Sequence, residues 1–131
     1  MHGLSHTYPG DIEILLAAAQ LPGLNALVMS DAGSGTDVSN VTLALDDQAT
    51  ADLPSSGGFA SGTFRPTNHP ARGAEEFPAP APAPSGNVVL RVFTGSDPNG
   101  TWQLFVVDDE GGESGSIANR WSLEITAEVD A

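Results

Sequence analysis

The apolar positions of this chain recur with a period of two, in short runs set between glycines and prolines. That is the pattern of half-buried strands, not of helices. Trp121, Leu123 and Ile125 alternate with Ser122, Glu124 and Thr126 and give the cleanest strand signal. Ile12, Ile14 and Leu16 alternate with Glu13 and Leu15, Val41, Leu43 and Leu45 with Thr42 and Ala44, and Val88, Leu90 and Val92 with Arg91. Trp102, Leu104 and Val106 alternate with Gln103, Phe105 and Val107, so this strand is apolar on both faces and is expected at the centre of a sheet. Leu27-Val28-Met29 fits one more short strand. The run Ile14 to Gln20 has helical propensity, yet His6-Thr7-Tyr8-Pro9-Gly10-Asp11 is a poor helix start and Pro22-Gly23 ends the run abruptly, so it reads as strand. One helical turn is expected near Asp46 to Leu53, capped by Asp46 or Asp47 and stopped by Pro54.

Fifteen glycines and ten prolines break the chain too often for long helices. Phe77 to Pro84 alternates proline with alanine and is expected as extended polyproline, part of a stiff connector over residues 78–87 inside the domain. No basic residue flanks it, which favours a connector over an SH3-type ligand. Asp97-Pro98-Asn99-Gly100 reads as a tight turn, because proline presets φ and Asn-Gly tolerates positive φ. Pro9-Gly10 makes a turn or bulge, and Asp11 is placed to bond the amides that the bend leaves free. Many short strands joined by Gly, Pro and Asp turns predict an all-β fold, an antiparallel β-sandwich. With 131 residues the chain makes a single domain over residues 1–131, its core running from about residue 3 to 127.

Composition narrows the partners. Seventeen acidic residues against four arginines give a net charge of −13, which excludes nucleic acid, whose phosphates need a basic patch, and repels an anionic membrane surface. No apolar run approaches the length of a membrane span. The chain has no cysteine, so disulfides and thiolate zinc sites are excluded. Met1-His2-Gly3 leads directly into strand-like sequence with no signal peptide, the start expected of a fragment cut from a longer protein.

Candidate chemistry is sparse. Nucleophilic catalysis needs a serine or cysteine beside a base, and no G-x-S-x-G occurs. Ser5, His6 and Asp11 include the right residue types, but adjacent strand residues point to opposite faces and cannot form a triad. His2 and His6 would lie about 13 Å apart in a strand, at ~3.3 Å per residue, too far to share a metal. Calcium is the stronger candidate, since it takes six to eight oxygens from flexible acidic loops. Three loops qualify: Asp31 to Asp37 with Asn40; Asp46-Asp47; and Asp108-Asp109-Glu110 through Glu113. The candidate ligands are Asp31, Asp37, Asn40, Asp46, Asp47, Asp108 and Asp109, weighed against plain solvated turn residues on a charged surface. Asn40-Val41-Thr42 and Asn99-Gly100-Thr101 are glycosylation sequons by pattern, Asn99 being explained by its turn.

Two blocks carry a family resemblance. Gly3-Leu4-Ser5-His6-Thr7-Tyr8-Pro9-Gly10-Asp11-Ile12-Glu13-Ile14 matches H-T-Y-x-G-D-φ-x-φ. Asp97 to Asp108, followed by Gly115-Ser116-Ile117 and Trp121-Ser122-Leu123-Glu124-Ile125, matches G-x-W-x-L-x-V-x-D and then G-x-φ-x-x-W-x-L. Together they resemble the P domain (homo B domain) of subtilisin-like proprotein convertases and of bacterial secreted peptidases and surface proteins. Gly62-Thr63-Phe64-Arg65-Pro66 is similar to the segment usually found between the two blocks. The resemblance implies an antiparallel jelly-roll β-sandwich of galactose-binding-like type. His6, Gly10, Asp11, Gly100, Trp102, Asp108, Gly115 and Trp121 are its structural motif residues, with both tryptophans buried.

The resemblance further implies a non-catalytic accessory domain, secreted or at the cell surface. Its partner would be the catalytic domain of the parent protein, a subtilisin-type serine protease that it stabilises, helps fold or targets. A structural calcium ion is expected by the same resemblance. The alternative is an independent binding module for carbohydrate, matrix or protein, although such a site needs an exposed aromatic platform, for which Tyr8, Phe59, Phe64 and Phe77 are the candidates. Domains of this type usually begin with one or two strands before the His-Thr-Tyr block, and those first strands are missing here. An exposed edge is therefore expected beside the His6 to Leu16 strand or its former partner, and with it a homodimer through sheet edges or exchanged strands that strengthens with salt.

Overall fold

The computed structural model describes residues 1–69, 77–108 and 115–125. Eight strands are found among them: β1 His2–His6, β2 Ile12–Ala18, β3 Asn25–Ser30, β4 Val38–Leu45, β5 Gly62–Phe64, β6 Thr67–Asn68, β7 Trp102–Asp108 and β8 Gly115–Arg120. They form two four-stranded sheets, ordered β5-β4-β1-β8 and β6-β3-β2-β7. The described residues contain no α-helix, only 3-10 turns at Pro9–Asp11 and Leu90–Phe93. No helix among them is long and apolar enough to cross a membrane.

The fold is the two-sheet, all-β structure that the period-two pattern predicts. Leu4, Val38, Val41 and Leu43 from one sheet share a single apolar core with Ile12, Ile14, Leu16, Ala26, Val28 and Met29 from the other. Both sheets are mixed, not purely antiparallel, because the short edge strands β5 and β6 run parallel to β4 and β3. All seven residues of β2 are buried, since β3 and β7 flank it and both its faces are covered. β1 is likewise internal, between β4 and β8. The His6 to Leu16 segment itself offers no open edge, because it is two interior strands in different sheets.

Several other expectations are corrected. Among the described strands β7 lies at the edge of its sheet, not the centre. Val88, Leu90 and Val92 are not a strand: the Asp47 carboxylate accepts the amides of Leu90 and Arg91, both at 2.8 Å, and draws the chain into the 3-10 turn Leu90–Phe93. That turn sets the Phe93 ring edge-on to Trp102, with ring centres 4.9 Å apart. The helical turn expected at Asp46 is an Asx turn, in which the Asp46 side chain accepts from the Gln48 amide at 2.9 Å. β8 ends at Arg120, and residues 121–125 have no regular structure, although their alternation is the cleanest in the sequence. Trp102 is half-buried and Trp121 is 36% exposed, so neither tryptophan is sealed in the core.

The proline-rich segment is pinned and bent. Ala81 donates its amide to Pro78 O at 3.1 Å, closing a turn within the expected polyproline run. Asn25, 1% exposed, donates to Ala83 O at 3.0 Å, accepts from the Ser85 amide at 2.8 Å, and its own carbonyl accepts from the Ser85 hydroxyl. One buried side chain thus replaces the strand pairing that prolines cannot give. Asn25→Ala is expected to cost about 2 kcal/mol, the penalty for leaving such groups unbonded. Amide exchange should speed up most at Ser85 and at Leu27, whose amide bonds Asn87 O. Unchanged protection at both amides would contradict the pinning.

Candidate functional site

The His-Thr-Tyr-x-Gly-Asp block is the crossover between the sheets. β1 enters it in one sheet and β2 leaves it in the other, and proline, glycine and a 3-10 turn fit that reversal. The loop of residues 31–37 packs onto this corner. Gly10 donates to Ser34 O at 3.0 Å, and Gly35 lies against the Tyr8 ring. Gly33, at φ +80°, lies between Pro9 and the Phe59 ring, donates to Pro54 O at 2.7 Å and accepts from Gly58 at 2.8 Å. Asp31 and Ser34 also take positive φ, 54° and 51°, so the loop curls tightly enough to present its backbone to the corner.

His6 brackets the two sheets at this end. Its Nε2 lies 2.7 Å from Asp108 Oδ2, and its Nδ1 accepts the Tyr8 amide at 2.8 Å. A backbone amide can only donate, so Nδ1 is unprotonated and the ring proton is on Nε2, donated to Asp108. His6 belongs to β1 and Asp108 to β7, so the bond joins one sheet to the other. The His6 side chain is 5% exposed and that of Asp108 33%. Gly115 packs directly against the His6 ring and the Ser5 carbonyl, leaving no room for a side chain.

Two recesses flank the bracket. One, of about 440 Å³, is open, with Ser5, Thr7, Asp37, Val38, Ser39 and Ser116 among the residues that line it. The other, of about 310 Å³, runs between β7 and β8, where Leu4, Ile12, Val106 and Ile117 line the seam of the two sheets.

The structure scatters the described calcium candidates. Asp37 and Asn40 are near the start of β4, while Asp46 and Asp47 follow its end, roughly 25 Å away for an eight-residue strand. Asp31 is buried and accepts from the Ser30 hydroxyl at 3.1 Å. Asp46 holds its Asx turn, Asp47 holds the Leu90 turn and Asp108 holds His6. Asn40 donates its amide to the Ser5 hydroxyl at 2.9 Å. Among the described residues no three of His, Asp or Glu come together to hold a metal ion. Asp109, Glu110 and Glu113 lie outside the described residues. No protein-family model, curated protein or solved structure matches this chain.

The other motif residues are structural in this site. Asp11 is buried in the corner, and its amide bonds Tyr8 O at 2.9 Å. Asp97 closes the expected turn by accepting from the Asn99 amide at 3.0 Å, Gly100 takes φ +141°, and the Trp102 indole donates to Pro98 O at 3.0 Å. Three described groups carry shifted acidities; one is the His2 ring, which desolvation, and after it the nearby Arg120 and the chain's amino terminus, push down. Burial pushes the Met1 amino group down while it donates to Leu43 O at 2.7 Å. The Arg65 guanidinium, 2.7 Å from Asp52, holds that exposed carboxyl below the usual carboxylate range. The sequence reading missed Asn25 and Gly33, because a single Asn or Gly in a turn-rich chain gives no sign of its distant partners.

Proposed function

We propose that this chain is a non-catalytic accessory domain of the P-domain type in a secreted protein. It would stabilise an attached subtilisin-type serine protease or assist its folding and targeting. The observation that carries this reading is the way His6 is used. A general base needs a free ring nitrogen facing a nucleophile. Both nitrogens of His6 are bonded within the scaffold, to the Tyr8 amide and to Asp108, and the ring is buried. His69 is also engaged, with Nε2 2.7 Å from Leu53 O. The motif residues that carry the resemblance support the same reading: they build a corner and a cross-sheet bond, which is what an appendage selected for stability requires.

The test is a peptidase assay on the purified chain with peptide and protein substrates. No turnover is expected. Cleavage that co-purifies with the chain and disappears in Ser5→Ala would overturn the reading.

A further inference from the structure

We propose that two copies of this chain associate by exchanging residues 121–125, each copy laying that segment along the edge of β7 in the other that no described strand pairs with. Two independent features of one molecule match each other. The first is an acceptor. β7 pairs with β2 on one side and with no other described strand. Val106 sits opposite Ile14, on the face that also carries Trp102 and Leu104 toward the core, yet it is 49% exposed. An inward-facing valine half open to water means that the seam between β7 and β8 is not closed, and the cleft of about 310 Å³ lined by Leu4, Ile12 and Ile117 is that opening.

The second feature is a donor. Trp121-Ser122-Leu123-Glu124-Ile125 has the alternation of a strand and no ladder partner. The register pairs His2 with Arg120, so the chain beyond Arg120 runs past the end of β1. Leu123 packs on the core, while Trp121 and Ile125, on the same side of the alternation, are 36% and 45% exposed. An open strand edge and an unpaired apolar strand segment in one molecule are the two halves of a strand addition.

The same molecule cannot bring them together. β8 is antiparallel to β1, β7 is antiparallel to β2, and the corner at Pro9–Asp11 reverses the chain between β1 and β2. β8 therefore runs opposite to β7 and ends away from the Asp108 end of the seam. To reach β7 within its own chain, the 121–125 segment would have to reverse immediately after Arg120, with no residues left for a turn. A segment from a second copy can enter antiparallel to β7. Its Trp121, Leu123 and Ile125 would fill the seam and cover Val106, and the Leu123 contact given up at home would be remade in the partner. Reciprocal exchange closes with two-fold symmetry. The charge of −13 per copy opposes the approach, so association should strengthen with salt.

Sedimentation of the full chain across concentration and salt tests this. A dimer is expected, tighter at high salt and weakened roughly a hundredfold or more in Trp121→Ser/Ile125→Ser, which removes two apolar anchors that are exposed in the monomer and so leaves its fold intact. Val106→Lys should have the same effect from the acceptor side. The natural chain has no cysteine, so Gln103→Cys and Glu124→Cys made in separate chains should cross-link when mixed. A monomer at high concentration and high salt, or a dimer that both variants leave unchanged, would overturn the proposal. So would a disulfide that closes within one chain carrying both cysteines.

Discussion

His6→Ala is expected to cost about 3 kcal/mol of folding stability, which lowers the melting temperature by roughly 10 °C in a domain of this size. The substitution removes two hydrogen bonds and a buried ring together. The Tyr8 amide, paired at 2.8 Å with Nδ1, is left with no side-chain acceptor in the corner, and Asp108 loses the donor that ties β7 to β1. A bond left unmade at a buried group costs roughly 1–3 kcal/mol; the loss falls mainly on the corner at Tyr8, since Asp108, with its side chain 33% exposed, regains part of its bonding from water. Asp108→Asn keeps an acceptor for the Nε2 proton and should cost under about 1 kcal/mol. Denaturant melts of His6→Ala, Asp108→Ala and the double variant form a cycle with an expected coupling of about 1–2 kcal/mol. Additive effects would mean that the 2.7 Å contact does not hold the sheets together.

Gly33→Val should be at least as damaging, at about 3–5 kcal/mol. Gly33 has φ +80°, which costs a β-branched residue roughly 1–2 kcal/mol in backbone strain alone. A side chain there would also start 3.1 Å from both Phe59 and Pro9, so the loop would have to lift off the corner and give up the bonds to Pro54 and Gly58. Gly57→Ala is the control. It also has positive φ, 79°, but nothing lies within 4 Å of the added carbon, so it should show the strain without the displacement. Equal losses in the two variants would show that packing at the corner adds nothing.

What could be read from the sequence depended on how local its cause was. The alternation of Ile12 to Leu16 and of Val41 to Leu45 specified strands, because burial of every second residue is a local demand. The same alternation misled at Val88 to Val92 and at 121–125, where a partner decides the outcome. In the first, Asp47, more than forty residues away in sequence, captures two amides. In the second, the ladder ends at Arg120. Apolar residues on both faces suggested a central strand at β7. Among the described strands β7 is an edge strand whose inner face is exposed at Val106, and composition alone cannot distinguish an open seam from a closed one. Of the site, the His-Thr-Tyr-x-Gly-Asp block was visible as a bend. Its role as the crossover, and the His6 to Asp108 bond across 102 residues, needed the fold. Carboxylates in turns look alike in sequence whether they cap amides or bind an ion, and the amides that Asp46 and Asp47 accept became visible only in the fold.

The proposed accessory role is tested most directly by thermal inactivation of the parent protease it requires, with and without residues 1–131. The reading frame upstream of Gly3 is expected to encode a catalytic domain with its own Asp, His and Ser. Its activity, with residues 1–131 attached, should survive heating to a temperature several degrees higher than without them. His6→Ala in the intact protein should remove most of that protection while leaving the initial rate unchanged. An upstream frame with no catalytic domain, or an enzyme that inactivates at the same rate with and without this chain, would contradict the account.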